Sequence, residues 1–356
     1  MTILEDRYKN KLIYFKEVRF YLSNFLFFTS LLLVACESKS VGKIELSGET
    51  MGTTYSIKIS DYNNSFHSVD QIRYKVDSTL KTINLQMSTY IPSSEISQFN
   101  EVGVMSISPS PQFLYVLEYA RGLSKLSRGL FDITVGPLVQ LWGFSQKKLP
   151  WAPPEKSDIN KLLENIGNDT WDLVDGKLIK LNPNIQIDVN AIAKGFGVDI
   201  LSLLLKSLGY NNYMVEIGGE VYCAGVNESG EYWKIGIEIP DFESRLLFDI
   251  VNMSESAMAT SGDYRNYFSS NGQNYSHTIN PKTGCPIEHS LASTTVISKT
   301  CMDADGLATA LLVMGTENAL SFIENKNEVE CLLIERTQSG KFRTFMSSGF
   351  EAYLLE

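Results

Sequence analysis

Apolar and polar positions divide this chain into short elements of two different periods. From Ile44 to Ser60, IELSGETMGTTYSIKIS alternates on both sides of a Met-Gly pair, which predicts two strands about a turn. Over residues 69–88 the period changes. Val69, Ile72, Val76, Leu80, Ile83 and Met87 fall three or four apart, as on one helix face. Ser110 and Pro111 predict another helix to about Ser127, with Ser110 as N-cap and Pro111 at its first position. Helices are also expected near 134–142 and 155–166, from Ala191 to Leu208 (closed by Gly209), from Ala304 to Met314, and from Glu317 to Glu324. Short strands are expected at 171–174, 177–181, 185–189, 213–217, 220–226, 232–238, 246–253 and 292–298, with hairpin-like runs at 329–336 and 341–347. Residues 261–287, SGDYRNYFSSNGQNYSHTINPKTGCPI, fit neither period. They carry four aromatic rings, three Gly and His277, one of three His in the chain. Such a mixture predicts an α+β fold.

The N-terminus changes the picture of where this domain works. A leader with five Lys/Arg and three Asp/Glu precedes an apolar run from Phe20 to Ala35, which ends LVAC. The run is about 16 residues, short of the ~20 that a membrane span needs. This is the pattern of a secretory signal, and the Cys after Leu-Val-Ala resembles a bacterial lipobox. The expected organisation is a signal peptide ending in lipidated Cys36 (1–36), a polar tether (37–43) and a folded domain (44–356). An ordinary signal peptide or membrane anchor is the alternative. Loss of the leader moves the net charge from −10 to −12. That balance argues against a nucleic-acid partner. It also requires an anionic substrate to be drawn by local donors or a metal. Cys223, Cys285, Cys301 and Cys331 form no CxxC and fit no zinc spacing, which leaves buried thiols or a disulfide.

Several segments hold more polarity and glycine than a core requires. In IDVNAIAKGFGVD a strand is expected to end at Asp188 and a helix to follow. Its unpaired N–H groups, with Lys194, suit a phosphate. Asp188 serves equally well as a cap for that helix. DADGLAT places Asp305 and Thr309 four apart on one helix face, where a carboxylate and a hydroxyl can share a hard cation. The same spacing allows Asp303 to cap the helix and Thr309 to bond back to a carbonyl. The Gly-Gly of EIGGEV permits a tight turn or a close ligand approach.

Taken together, MGTTYSIK, MSTYIPSSEIS, GLFDITVGPLVQLWGF, IDVNAIAKGFGVD, VEIGGEV, SGDYRNYF, YSHTINPKTGCP and DADGLATALLVMG resemble the ApbE family, the FAD:protein FMN transferases. They occur in the family's order across most of residues 44–350. The resemblance implies a two-lobed α+β fold with mixed or antiparallel sheets and a nucleotide site between the lobes. It implies that FAD is split with Mg²⁺, FMN passing to a Thr or Ser hydroxyl of an acceptor protein and AMP leaving. Met51, Tyr90, Leu130, Phe131 and Asp132 match positions lining the FAD site. Asp188, Lys194 and Thr278 match further nucleotide contacts, and Arg265 is a candidate phosphate contact. Ala191, through its carbonyl, and Asp305 and Thr309 match the metal ligands, with Asp303 a water-mediated contributor. His277 matches the position associated with catalysis; a base supplied by Asp303 or Asp305 is the competing assignment. Tyr264, Tyr267 and Tyr275 would wrap the nucleotide, and His67 and His289 are expected at the surface. Two departures, Gly197 where Ala is common and Thr278 where Ile is usual, remove no functional group. The expected acceptors are membrane redox-pump subunits or extracytoplasmic reductases, met by a lipid-anchored protein outside the cytoplasm. An Mg²⁺-dependent FAD pyrophosphatase and a non-enzymatic flavin-binding lipoprotein are the alternatives.

Overall fold

The computed structural model describes residues 42–63, 66–144, 152–241, 246–263, 267–270 and 273–355, and Gly42–Glu356 form one compact unit. The expected signal peptide, Cys36, Tyr264 and Arg265 lie outside the described residues. Among the described residues no helix is long and apolar enough to cross a membrane.

Strands β1 (Gly42–Thr50) and β2 (Thr53–Tyr62) pair about Met51 and Gly52, both with positive φ, at +50° and +72°. That turn matches the twist of the strands but is strained for a methionine. Helix α1 (Val69–Met87) begins at a capping box formed by Ser68 and Gln71 and buries Ile72, Val76, Leu80 and Ile83, the predicted stripe. Helix α2 (Glu95–Asn100) follows, capped by Ser94, and was not expected from the sequence. After the two-residue β3 (Ser106–Ile107) comes α3 (Pro111–Leu126). Ser110 sits at its N-cap without a side-chain cap bond; instead its N–H donates to Glu95 Oε2 at 2.7 Å. Helices α4 (Gly136–Leu141) and α5 (Lys156–Leu163) precede the hairpin β4 (Trp171–Val174) and β5 (Lys177–Lys180). The expected strand at 185–189 is unpaired. There the side-chain amide of Asn100 takes a neighbouring strand's place, accepting from Ile187 N and donating to Ile187 O, each at 2.8 Å.

Helix α6 (Asn190–Ser207) leads into β6 (Tyr213–Ile217) and β7 (Glu220–Ala224), joined through Gly218 and Gly219. Next come β8 (Trp233–Glu238), β9 (Leu247–Met253) and β10 (Ser256–Gly262), the last missed because its small residues carry little strand signal. The aromatic segment contains a hairpin, β11 (Tyr267–Ser270) with β12 (Gln273–Ser276), also unexpected. The chain continues with β13 (Leu291–Ser298), α7 (Cys301–Met314), α8 (Thr316–Ile323), β14 (Glu330–Arg336) and β15 (Phe342–Met346).

Eight strands form one antiparallel sheet in the order β1-β2-β6-β7-β10-β13-β14-β15. Both faces are covered. On β14, Cys331 and Leu333 enter the helical core with α3, α6 and α7, whereas Leu332 and Ile334 enter a second core under β8 and β9. Burial on both sides is why every residue of β13 is buried although the strand carries Ser and Thr among its β-branched positions. All four cysteines of the described residues are free thiols.

Candidate active site

Helices α6 and α7 cross at close range because two glycines permit it. A Cβ on Gly195 would lie 2.3 Å from Cys301 O, and one on Gly306 would lie 2.9 Å from Ile192 Cγ2. The crossing is tied by Asp199, whose carboxylate accepts from Cys301 N at 2.7 Å and Met302 N at 2.9 Å, the free donors at the start of α7. Burial pushes the Asp199 carboxyl up to about 6.

Asp305 is 3 % exposed on the α7 face turned to α6. Its Oδ2 accepts from Gly195 N at 3.0 Å. In an α-helix the N–H of residue 195 points at the carbonyl of residue 191. Regular helix geometry thus places the Ala191 carbonyl on the same side of α6 that meets the Asp305 carboxylate. One turn along α7, the Thr309 hydroxyl meets Ser261 Oγ at 3.2 Å. A carboxylate, a hydroxyl and a carbonyl make an oxygen-only set, which fits a hard divalent cation. Burial pushes the Asp305 carboxyl up to about 7, against the pull of Lys194.

Lys194 Nζ lies 2.9 Å from Glu220 Oε1 and 3.9 Å from Asp305 Oδ2. Burial alone would lower its pKa, but Asp305 and Glu220 outweigh it and raise the value, so the ammonium stays charged. Its stem passes Gly218, where a Cβ would meet Thr53 Cγ2 at 2.9 Å and Lys194 Cδ at 3.2 Å. Gly218 therefore keeps open the space between the lysine and the Met51 turn. Met51 itself reaches Gly197. A cavity of about 510 Å³ borders Glu49–Thr54 at this turn.

A second group forms around Asp188. Its N–H donates to Ile133 O at 2.7 Å, and its Oδ1 accepts from Asn190 N at 2.8 Å at the entry to α6. The capping alternative is thus realised in part, one residue before the helix's N-cap position. A cavity of about 340 Å³ opens between Thr89, Asn100, Gln140, Gln186 and Asp188, beside the neighbouring and 60 % exposed Tyr90. The GLFD loop is turned inward. Phe131 is buried in the helical core, so its side chain serves packing. Asp132 Oδ1 accepts from Thr134 N at 2.8 Å and Thr134 Oγ1 at 2.6 Å. Both side chains are thus engaged within the protein.

His277 belongs to a third group. It follows β12, half-buried, with its ring edge-on to Phe144 at 6.3 Å. The PKTG turn beyond it is held by Trp142 Nε1, which donates to Gly284 O at 2.7 Å. Thr278 closes this turn through its carbonyl, which accepts from Ile287 N. Tyr275 packs on Trp142 at 5.8 Å, so this ring is structural.

Asp303 departs from expectation. The cap of α7 is Thr300, whose hydroxyl accepts from Asp303 N. Asp303 Oδ1 accepts from Tyr119 OH at 2.9 Å and Oδ2 from Ser298 Oγ at 2.6 Å. Both oxygens are engaged toward α3 and β13, away from the Asp305–Lys194 face. Tyr119, Asp199, Ser261 and Glu220 are the site neighbours the sequence reading missed. For Glu220 a signal existed, since it is a carboxylate directly after a Gly-Gly turn.

These features define an α+β protein with a carboxylate–lysine site, fit for a cation, where two helices cross beside a strand turn. The chain belongs to the ApbE family, whose model matches residues 51–333. It is 42 % identical over 325 residues to a Vibrio cholerae protein named FAD:protein FMN transferase, covering 91 % of this chain and 96 % of that one. A Haemophilus influenzae protein of the same name is 42 % identical over 329 residues, covering 90 % and 94 %. The solved flavin transferase ApbE from Vibrio cholerae superposes with a TM-score of 0.81 at 40 % identity, over 88 % of this chain and 99 % of that one. The Pseudomonas stutzeri flavinyl transferase ApbE, in apo form, gives 0.79 at 34 % identity, over 88 % and 96 %.

Proposed function

We propose that this chain is an Mg²⁺-dependent FAD:protein FMN transferase. The observation that carries the reading is the buried Asp305 carboxylate held on Gly195 N–H at the α6–α7 crossing, with Lys194 beside it. In the reaction a Thr or Ser oxygen of the acceptor bonds to the FMN phosphorus of FAD. The P–O bond to AMP breaks, and AMP leaves with the electron pair. The hydroxyl proton passes to His277, whose side-chain type has an ordinary pKa nearest neutrality.

Asp305, Thr309 and the Ala191 carbonyl would hold the ion, which when bound neutralises charge on the diphosphate. Lys194 keeps a positive charge beside the same oxygens, and phosphoryl transfer depends chiefly on such positioning. Met51 and Gly218 shape the approach, while Asp188, Tyr90 and the 130–132 backbone border the nucleotide. Thr278 is assigned to the same substrate by its place beside His277, and Arg265 as a candidate phosphate contact. Asp303, bound to Tyr119 and Ser298, is left out of both the metal set and the base role. The lipobox at Cys36 supports an anchored, extracytoplasmic protein acting on membrane redox-pump subunits or reductases.

His277→Ala tests the assignment. The variant should bind FAD with Mg²⁺ as the parent does and lose FMN transfer by about 10²–10⁴-fold, the scale of general-base help. Unchanged transfer would remove His277 from the mechanism.

A further inference from the structure

Glu220 has no place in the metal set, yet it is the nearest carboxylate to Lys194. It begins β7 directly after Gly218 and Gly219, is 5 % exposed, and points its side chain to the α6–α7 crossing. Its Oε1 holds Lys194 Nζ at 2.9 Å, while its Oε2 is buried without a hydrogen-bond partner. A buried carboxylate oxygen left unpaired is costly, so a role is needed to explain it.

The distances supply one. Lys194 stands between two carboxylates but closer to Glu220, at 2.9 Å against 3.9 Å from Asp305. Without Glu220 the ammonium keeps Asp305, 3.9 Å away, as its remaining carboxylate partner and would close on the oxygen a cation needs. We infer that Glu220 is a positioning residue that holds Lys194 off Asp305 and so keeps the metal carboxylate open. The inference rests on the metal reading given under Proposed function.

Charge accounting gives it a signature that packing does not share. Glu220 adds a negative charge to a buried cluster. That charge favours a divalent cation and opposes an anionic diphosphate arriving without one. Removing it should therefore shift the two affinities in opposite directions. A residue that merely supported the fold would weaken both.

The experiment uses the purified protein and Glu220→Gln, with Mg²⁺ binding measured by calorimetry and FAD binding by flavin fluorescence in EDTA. We expect Mg²⁺ affinity to fall about tenfold or more and metal-free FAD affinity to rise about as much, the scale of one charge at intermediate dielectric. Glu220→Asp keeps the charge but withdraws it; both shifts should keep their sign and be smaller, and this variant stands in if Glu220→Gln does not fold. Parallel loss of both affinities, or Mg²⁺ affinity equal to the parent's, would overturn the inference. Parent protein that binds no Mg²⁺ at all would overturn the metal site itself, a separate failure seen before any variant is compared.

Discussion

Gly195→Ala offers a stringent check on the helix crossing. Its added Cβ would lie 2.3 Å from Cys301 O, 2.7 Å from Cys301 C and 2.8 Å from Asp305 Cβ. Two of these are backbone atoms and cannot rotate aside. Restoring ordinary contact means parting the helices by about 1 Å, the gap between 2.3 Å and the 3.4 Å at which such contact begins. Overpacking of that kind costs ~1–3 kcal/mol. The shift also weakens the bond from Gly195 N to Asp305, and hydrogen bonds to charged groups contribute ~1.5–3 kcal/mol. Replacing a helical Gly by Ala returns about 1 kcal/mol. The expected net loss is about 2–4 kcal/mol, a fall of roughly 3–6 °C in Tm for a chain of this size. Gly197→Ala, two residues on, is the control. Its Cβ would meet only Met51 Cε at 3.0 Å and Ile217 Cδ1 at 3.1 Å, the ends of flexible side chains. That variant should stay within about 1 kcal/mol of the parent, since the propensity gain offsets a small adjustment. Scanning calorimetry of both variants, with Mg²⁺ titration of each, decides the matter. If Gly195→Ala melts with Gly197→Ala, the close crossing of α6 and α7 is wrong.

Stability without metal should depend on pH in a defined direction. Burial raises the Asp305 carboxyl to about 7 and the Asp199 carboxyl to about 6, both above the ordinary 3.8. The folded state thus holds these protons more tightly than the unfolded chain. Their contribution is full below about pH 4 and is lost as pH rises through about 6 and 7. Melting temperatures in EDTA should fall from about pH 5 to about pH 8, with Mg²⁺ restoring most of the loss at the upper end. Asp305→Asn should flatten much of the slope and remove the Mg²⁺ response; a slope and response like the parent's would contradict the site. Trp142→Phe removes the donor to Gly284 O in a buried setting and should cost ~1–3 kcal/mol in chemical denaturation. It should slow FMN transfer more than it weakens FAD binding, because the turn it holds follows His277.

Helical stripes and paired turns were legible because local chemistry fixed them. The α1 face, the Met51–Gly52 hairpin and the Gly218–Gly219 turn follow from period and turn geometry alone. The strand β10 was not legible, since SAMATSG carries little intrinsic preference and becomes a strand through its neighbours β7 and β13. The 185–189 segment misled for a related reason. Its apolar alternation is genuine, but a single Asn100 side chain meets the backbone groups that a partner strand would have met. The spacing of Asp305 and Thr309 placed them one turn apart on a single helix, and α7 carries both. The side-chain bonds of Asp303 depend on Tyr119, distant in sequence, and on Ser298 of another element, and no spacing could report them. For Glu220 the Gly-Gly turn before it marked a place of interest, but its pairing with Lys194, on another element, was not legible.

The central claim is tested most directly by incubating the protein with FAD, Mg²⁺ and an extracytoplasmic acceptor protein, then reading intact mass and peptide masses. The account predicts one FMN added to an acceptor Thr or Ser for each AMP released, and none in EDTA. FMN and AMP released freely with Mg²⁺ while every acceptor stays unlabelled would contradict it and favour a pyrophosphatase.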